Sequence, residues 1–202
     1  MIFKFQSDTC LKDVEQSDGE MELSSKNSTE VVDYSNVIVK KPWGYEYLVF
    51  ENEHVAIWML HLVRKRKTSM HCHPNKKTAL VLLSGNATCS HLNGKRELSP
   101  LDCVQIERGI FHSTEASSLL PIEPLSENGI WIMEVETPPD KNDLVRMKDE
   151  YGRAGVAYEG QENMVFDPAN RVKFEEPDEG RVCKKQFQDC IFTTWKGTLD
   201  NP

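Results

Sequence analysis

Between residues 55 and 135 the chain is a succession of short β-rich runs, each closed by a turn signal, and that pattern leaves few folds open. The run at 55–63 reads Val-Ala-Ile-Trp-Met-Leu-His-Leu-Val and is bounded by polar clusters. β-branched and aromatic residues at that density suit a pleated, buried surface. A second run covers 78–83 and ends at Ser84-Gly85-Asn86. Runs at 87–92 and 95–98 flank Asn93-Gly94, a pair that tolerates the positive φ angles of a tight hairpin. Two more follow, at 103–106 before Gly109 and at 130–135 after a loop with Pro121 and Pro124. No stretch between 40 and 140 has a helical period, so the spacing predicts an all-β sandwich or barrel. A short helix is expected only over 142–151, beyond Pro138-Pro139. There is no internal repeat, which implies one barrel rather than two.

Charge locates the domain. Residues 1–36 hold eight acidic and three basic side chains, residues 159–202 nine and six, and the segment 37–158 fifteen of each. The first segment is mostly Ser, Thr, Asp, Glu, Lys, Asn and Gln over 7–29, too polar to offset the entropy of ordering. We read it as a flexible extension, 37–158 as the barrel domain, and 159–202 as a second extension. That last segment carries Phe166, Phe174, Phe187, Phe192 and Trp195, aromatics suited to packing on the barrel or on a partner subunit. A net charge of −8 argues against a nucleic-acid partner, which selects a basic stripe. The longest nearly uncharged apolar run is nine residues, against roughly 20 for a membrane helix. With no signal-peptide pattern at residues 1–8, the expectation is a cytoplasmic protein with no membrane partner. The six cysteines form no Cys-x-x-Cys pair and read as reduced thiols.

Three of the six histidines are placed for chemistry. His71 and His73 are two apart, so in a strand both leave one face while Cys72 leaves the other. A third imidazole from another strand would complete three vertices of a metal site, and His112, three residues past Gly109, is the natural candidate. His54 and His91 read as surface residues, whereas His61 lies on an apolar strand that could face the same cavity.

The stretch from Ser69-Met70-His71-Cys72-His73 through Ser84-Gly85 resembles the first cupin motif, and Glu107-Arg108-Gly109-Ile110-Phe111-His112 ends a stretch resembling the second. This resemblance implies a single cupin (jelly-roll) barrel whose mouth binds a divalent metal (zinc, iron or manganese) through His71, His73 and His112. Lys41-Pro42-Trp43-Gly44-Tyr45-Glu46 and the segment 143–153 are similar to the opening and closing of the cupin domain of type II mannose-6-phosphate isomerases. That closer likeness covers about 38–155 and implies an isomerase or epimerase of a sugar phosphate or nucleotide sugar in carbohydrate metabolism. It also puts Arg146 and Arg153 near the active site. The motif departs from its family where a glutamate ligand is expected, at Thr78, and at Glu107-Arg108-Gly109, which replaces a Pro-x-Gly turn. A threonine hydroxyl offers only a weak neutral ligand, yet three imidazoles can still hold zinc or iron(II).

Arg64, Lys65, Arg66, Lys67, Lys76 and Lys77 place six cations within fourteen residues, uninterrupted by any acidic side chain. Such a rim would attract an anionic carbohydrate, with Lys67, Lys76, Lys77 and Arg153 as candidate contacts. Isomerisation needs a base that moves a proton between adjacent carbons. The base is unassigned among Glu134, on the last strand, His61 and Glu46; Glu134 and Arg146 are taken as the catalytic candidates. Two other readings stay open: a non-catalytic sugar- or anion-binding cupin, and a three-histidine iron dioxygenase in which Cys72 or Cys89 would matter. Pairing through an open edge strand would make the protein a homodimer.

Overall fold

A computed structural model describes residues 1–5, 32–117, 129–148, 151, 161–166, 174 and 180–196. Its architecture is the expected all-β jelly roll. Chain order gives β1 (Ile2–Phe5), β2 (Val37–Lys41), β3 (Gly44–Glu51), β4 (Ala56–Leu62), β5 (Met70–Cys72), β6 (Lys77–Ser84), β7 (Ala87–His91) and β8 (Gly94–Leu98). There follow β9 (Cys103–Ile106), β10 (His112–Ala116), β11 (Ile130–Thr137), β12 (Val145–Lys148), β13 (Met164–Phe166), β14 (Val182–Phe187) and β15 (Cys190–Trp195). One sheet runs β1-β9-β6-β11-β4-β3-β2-β13 and the facing sheet β12-β5-β10-β7-β8, with β14–β15 a separate hairpin. No described helix is long and apolar enough to cross a membrane.

Strand parity sets which side chains meet inside. On β4, Ala56, Trp58, Leu60 and Leu62 point inward, with Leu80 and Leu82 of β6 and Ile130 and Ile132 of β11. The opposite parity, Tyr47, Val49, Met59 and Leu83, forms a second cluster on the outer face of the large sheet. The hairpin forms where expected, but its two-residue turn is Leu92-Asn93: Gly94 pairs with His91 as the first residue of β8, and neither Asn93 nor Gly94 takes a positive φ. At Gly44 a Cβ would lie 1.9 Å from the His61 carbonyl oxygen, so only glycine lets β3 approach β4 there.

Three expectations are corrected. Ile2–Phe5 is not part of a loose extension: it pairs in parallel with β9, and Phe5 is buried in the core. The rest of the polar segment, 6–31, lies outside the described residues. The helix expected over 142–151 is instead strand β12, which pairs antiparallel with β5. An open edge of β5 supplies the hydrogen bonds, and that tertiary context overrides a weak local helical preference. Of the carboxyl-terminal aromatics, Phe174, Phe187 and Phe192 pack on the outer cluster, with Phe187 edge-on to Trp131 at 4.9 Å. Phe166 and Trp195 are exposed.

Candidate metal centre and its cavity

His71 sits on β5, His73 immediately after it, and His112 opens β10 directly opposite His71 in the register. Their ring centroids are 4.4, 5.0 and 5.5 Å apart, and one ligand nitrogen from each falls within 4.8 Å of the others. The two motifs are tied together by the turn at Gly109. Its φ of 72° suits glycine, and its N–H donates to the His73 carbonyl at 2.8 Å.

Each imidazole is oriented by one backbone carbonyl. The Nδ1–H of His71 donates to Ser69 O at 2.8 Å, that of His73 to Asp143 O at 2.6 Å, and that of His112 to Ile110 O at 3.0 Å. This fixes one tautomer and leaves every Nε2 with an open lone pair. His73 Nε2 is buried without a hydrogen-bond partner among the described residues, the state of a nitrogen built to ligate. Burial, with His112 adding most to it at His71 and Lys76 at His73, holds both rings well below the usual histidine range. Burial lowers His112 to about 4. Three neutral imidazoles with convergent lone pairs fit a divalent transition metal, which takes histidine only in that form.

The triad lines a cavity of about 70 Å³ whose other wall is charged. Glu134 and Glu136 continue the inward parity of Ile130 and Ile132 on β11, and Glu46 comes from β3. Lys76 Nζ bonds Glu136 at 3.0 Å and the Asp140 carbonyl at 2.9 Å. Lys141 reaches Glu136 at 3.0 Å and Glu46 at 3.4 Å while lying 3.7 Å over the Trp58 ring, and Lys41 meets Glu46 at 3.5 Å. Its carboxylate neighbours raise the Lys141 pKa against burial, so it stays charged. Glu134 makes no salt bridge among the described residues, and burial pushes its pKa to about 7. The loop after Thr137 closes the site: Asp143 accepts from the N–H groups of Asn75 and Lys76, and delivers its carbonyl to His73.

The sequence-derived candidates separate cleanly. His71, His73, His112, Glu134, Arg146 and Lys76 all line the cavity, with Arg146 beside His71 in the β12–β5 register. Lys76, however, is committed to Glu136 instead of standing on a rim. Lys67 and Lys77 do not line the cavity, and Lys77 points outward to Glu107 at 2.9 Å. Strand parity separates Lys77 from buried Thr78. Arg153 lies outside the described residues. His61 is on the outer face, between Tyr45 and Trp131, and cannot serve the cavity. His91 is half-buried and packs on Phe5, 4.5 Å between centroids. Cys72 and Cys89 are buried cysteines in no disulfide and lie outside the lining. Sequence reasoning missed Glu136, Lys141 and Asp143; the same-face alternation of Ile130, Ile132, Glu134 and Glu136 was the available signal for the first.

No family model and no curated protein matches this chain. Solved structures similar to it include KdgF from Halomonas sp., 14% identical, covering 55% of this chain and 87% of that one with a TM-score of 0.42. Another is a sugar phosphate isomerase from a cupin superfamily of Silicibacter pomeroyi, 13% identical, covering 47% and 59%, with a TM-score of 0.40. A third is an RmlC-like cupin from Shewanella frigidimarina, 9% identical, covering 60% and 87%, with a TM-score of 0.40. At such scores the likeness says nothing about activity.

Proposed function

We propose that this chain is a metal-dependent enzyme of the cupin type that moves a proton on a small anionic carbohydrate, as in an aldose–ketose isomerisation or an epimerisation. One observation carries the reading: three convergent neutral imidazoles and a carboxyl poised at a pKa of about 7 share one small cavity.

A divalent metal on His71, His73 and His112 would supply Lewis-acid polarisation of a carbonyl and its neighbouring hydroxyl. Glu134 supplies the proton chemistry. Near neutral pH it is part ionised and part protonated, so it can take a proton from one carbon and return it to the next. Glu46 and Glu136 are poor bases here because Lys141 sits on both. Arg146, buried beside His71, would hold the anionic end of the substrate. A cavity of this size admits the reacting end of a sugar phosphate or sugar acid.

A three-histidine iron oxygenase has one observation in its favour, a ligand set with no carboxylate. Metal content of the purified protein, followed by assay of a sugar-phosphate and sugar-acid panel in deuterated water, separates the readings. Solvent deuterium at the carbon next to the carbonyl, abolished in Glu134→Gln with metal content unchanged, supports isomerisation. Oxygen consumption with iron overturns it. A homodimer in the cytoplasm belongs to the same proposal, and sedimentation at micromolar concentration tests the dimer.

A further inference from the structure

The three imidazoles of the triad are not held in the same way. His71 donates to Ser69 O and His112 to Ile110 O, each two residues back along its own segment, so local backbone sets their tautomers. His73 donates to Asp143 O at 2.6 Å, across 70 residues of sequence. Its tautomer therefore depends on whether the segment 140–144 is docked. With that acceptor in place the proton stays on Nδ1 and Nε2 keeps its lone pair. Without it the proton can move to Nε2, the nitrogen that would ligate.

The Asp143 side chain, itself buried, docks that segment. One carboxylate oxygen accepts from the N–H groups of Asn75 and Lys76, both at 2.9 Å, and the other from Asn75 Nδ2 at 2.9 Å. Lys76 adds a second tie, its Nζ donating to Asp140 O at 2.9 Å. Carboxylate and carbonyl of one residue thus grip the stretch 73–76 at two points, one of them the ligand ring. The same segment delivers Lys141 and Leu144 to the cavity wall.

We propose that Asp143 is a positioning residue of the metal centre, and that docking of 140–144 and metal binding at His73 are linked, each favouring the other. The inference rests on the metal reading above. A freed carbonyl releases the ring it orients, and loss of such a partner lowers metal affinity about 10- to 100-fold. Linkage is reciprocal, so the metal holds the segment down by the same factor. The metal thereby fixes the cavity wall as well as its own ligand.

The test uses the full chain, labelled with nitrogen-15 and freed of metal by a chelator. Imidazole correlation spectra report the tautomer of each ring, and in wild type all three should carry the proton on Nδ1. In Asp143→Ala the His73 signal should move toward the Nε2–H form while His71 and His112 keep theirs. Zinc affinity, read by chelator competition, should fall about 10- to 100-fold in the same variant. Asp143→Asn, whose side-chain oxygen still accepts from the turn, should recover most of both. Met59→Ala, which opens a hole in the cluster on the other face of the large sheet, should leave both unchanged. An equal zinc loss there would reduce Asp143 to a structural role and overturn the proposal. In wild type, zinc should slow amide exchange at Asp143 and Leu144 about tenfold, a readout that needs no variant. Zinc binding that leaves this exchange unchanged, or that survives Asp143→Ala undiminished with His73 unmoved, overturns the linkage and leaves the metal reading intact. A wild type that binds no zinc overturns both.

Discussion

Thr78 on β6 and Glu136 on β11 are direct partners in the antiparallel register and share the inward face. The carboxylate that the cupin resemblance implies at 78 is thus met one strand over, at 136. There it serves Lys76 and Lys141 instead of a metal. Removing its charge should be expensive, because a buried ammonium loses its only salt bridge among the described residues. Glu136→Gln is expected to cost about 3 kcal/mol in urea unfolding. A loss below 1 kcal/mol would mean that Lys76 finds water there.

Metal loading should depend on each member of the triad. Alanine at His71, His73 or His112 is expected to remove stoichiometric zinc or manganese, read by mass spectrometry. His54→Ala should leave it unchanged, since that ring is exposed. His91 makes a poor control because it packs on Phe5.

Glu134 sets a pH dependence whose sign is fixed. Its folded pKa, about 7, lies above the ordinary 4.5, so the folded state holds its proton longer than the unfolded one. Its contribution is full below about pH 4.5 and is lost as pH rises through 7. Glu134→Gln should accordingly gain stability relative to wild type on going from pH 4 to pH 8, by about 3 kcal/mol at 1.36 kcal/mol per unit. The measurement is chemical denaturation at both pH values; a constant difference refutes the assignment.

The histidines act in the opposite direction in the metal-free protein. His112, lowered by burial to about 4, stays neutral when folded and takes a proton near 6.5 when unfolded. Stability should fall as pH drops from about 6.5 towards 4, and His112→Ala should flatten that slope. Acid titration by circular dichroism reads it.

The first five residues should matter as much as a core strand. Phe5→Ala is expected to cost about 3 kcal/mol, the ordinary range for a buried phenylalanine. Deletion of residues 1–5 should lower the melting temperature by at least as much as Phe5→Ala. An unchanged melt would show that β1 does not pair with β9 in solution.

How the chain divides between readable and unreadable follows from the range of the forces involved. Runs of alternating apolar residues determined the strands and the barrel, because a two-residue period and a tight turn at Leu92-Asn93 are local properties of the backbone. The same local parity put His71 and His73 on one face. Strand β1 escaped notice because four residues carry no period, and its pairing with β9 spans about a hundred residues of chain. Strand β12 escaped because only the free edge of β5 makes it a strand. The charged wall was hidden for the same reason. Lys141, Glu136 and Glu46 meet only through strand register and the closing loop, and no spacing along the sequence encodes which lysine enters the barrel. Lys76 and Lys77 are adjacent in sequence, yet one is 2% exposed and the other faces solvent. Sequence supplied the elements and the triad; the tertiary structure decided which charges must be buried together, because burial energy is set by neighbours in space.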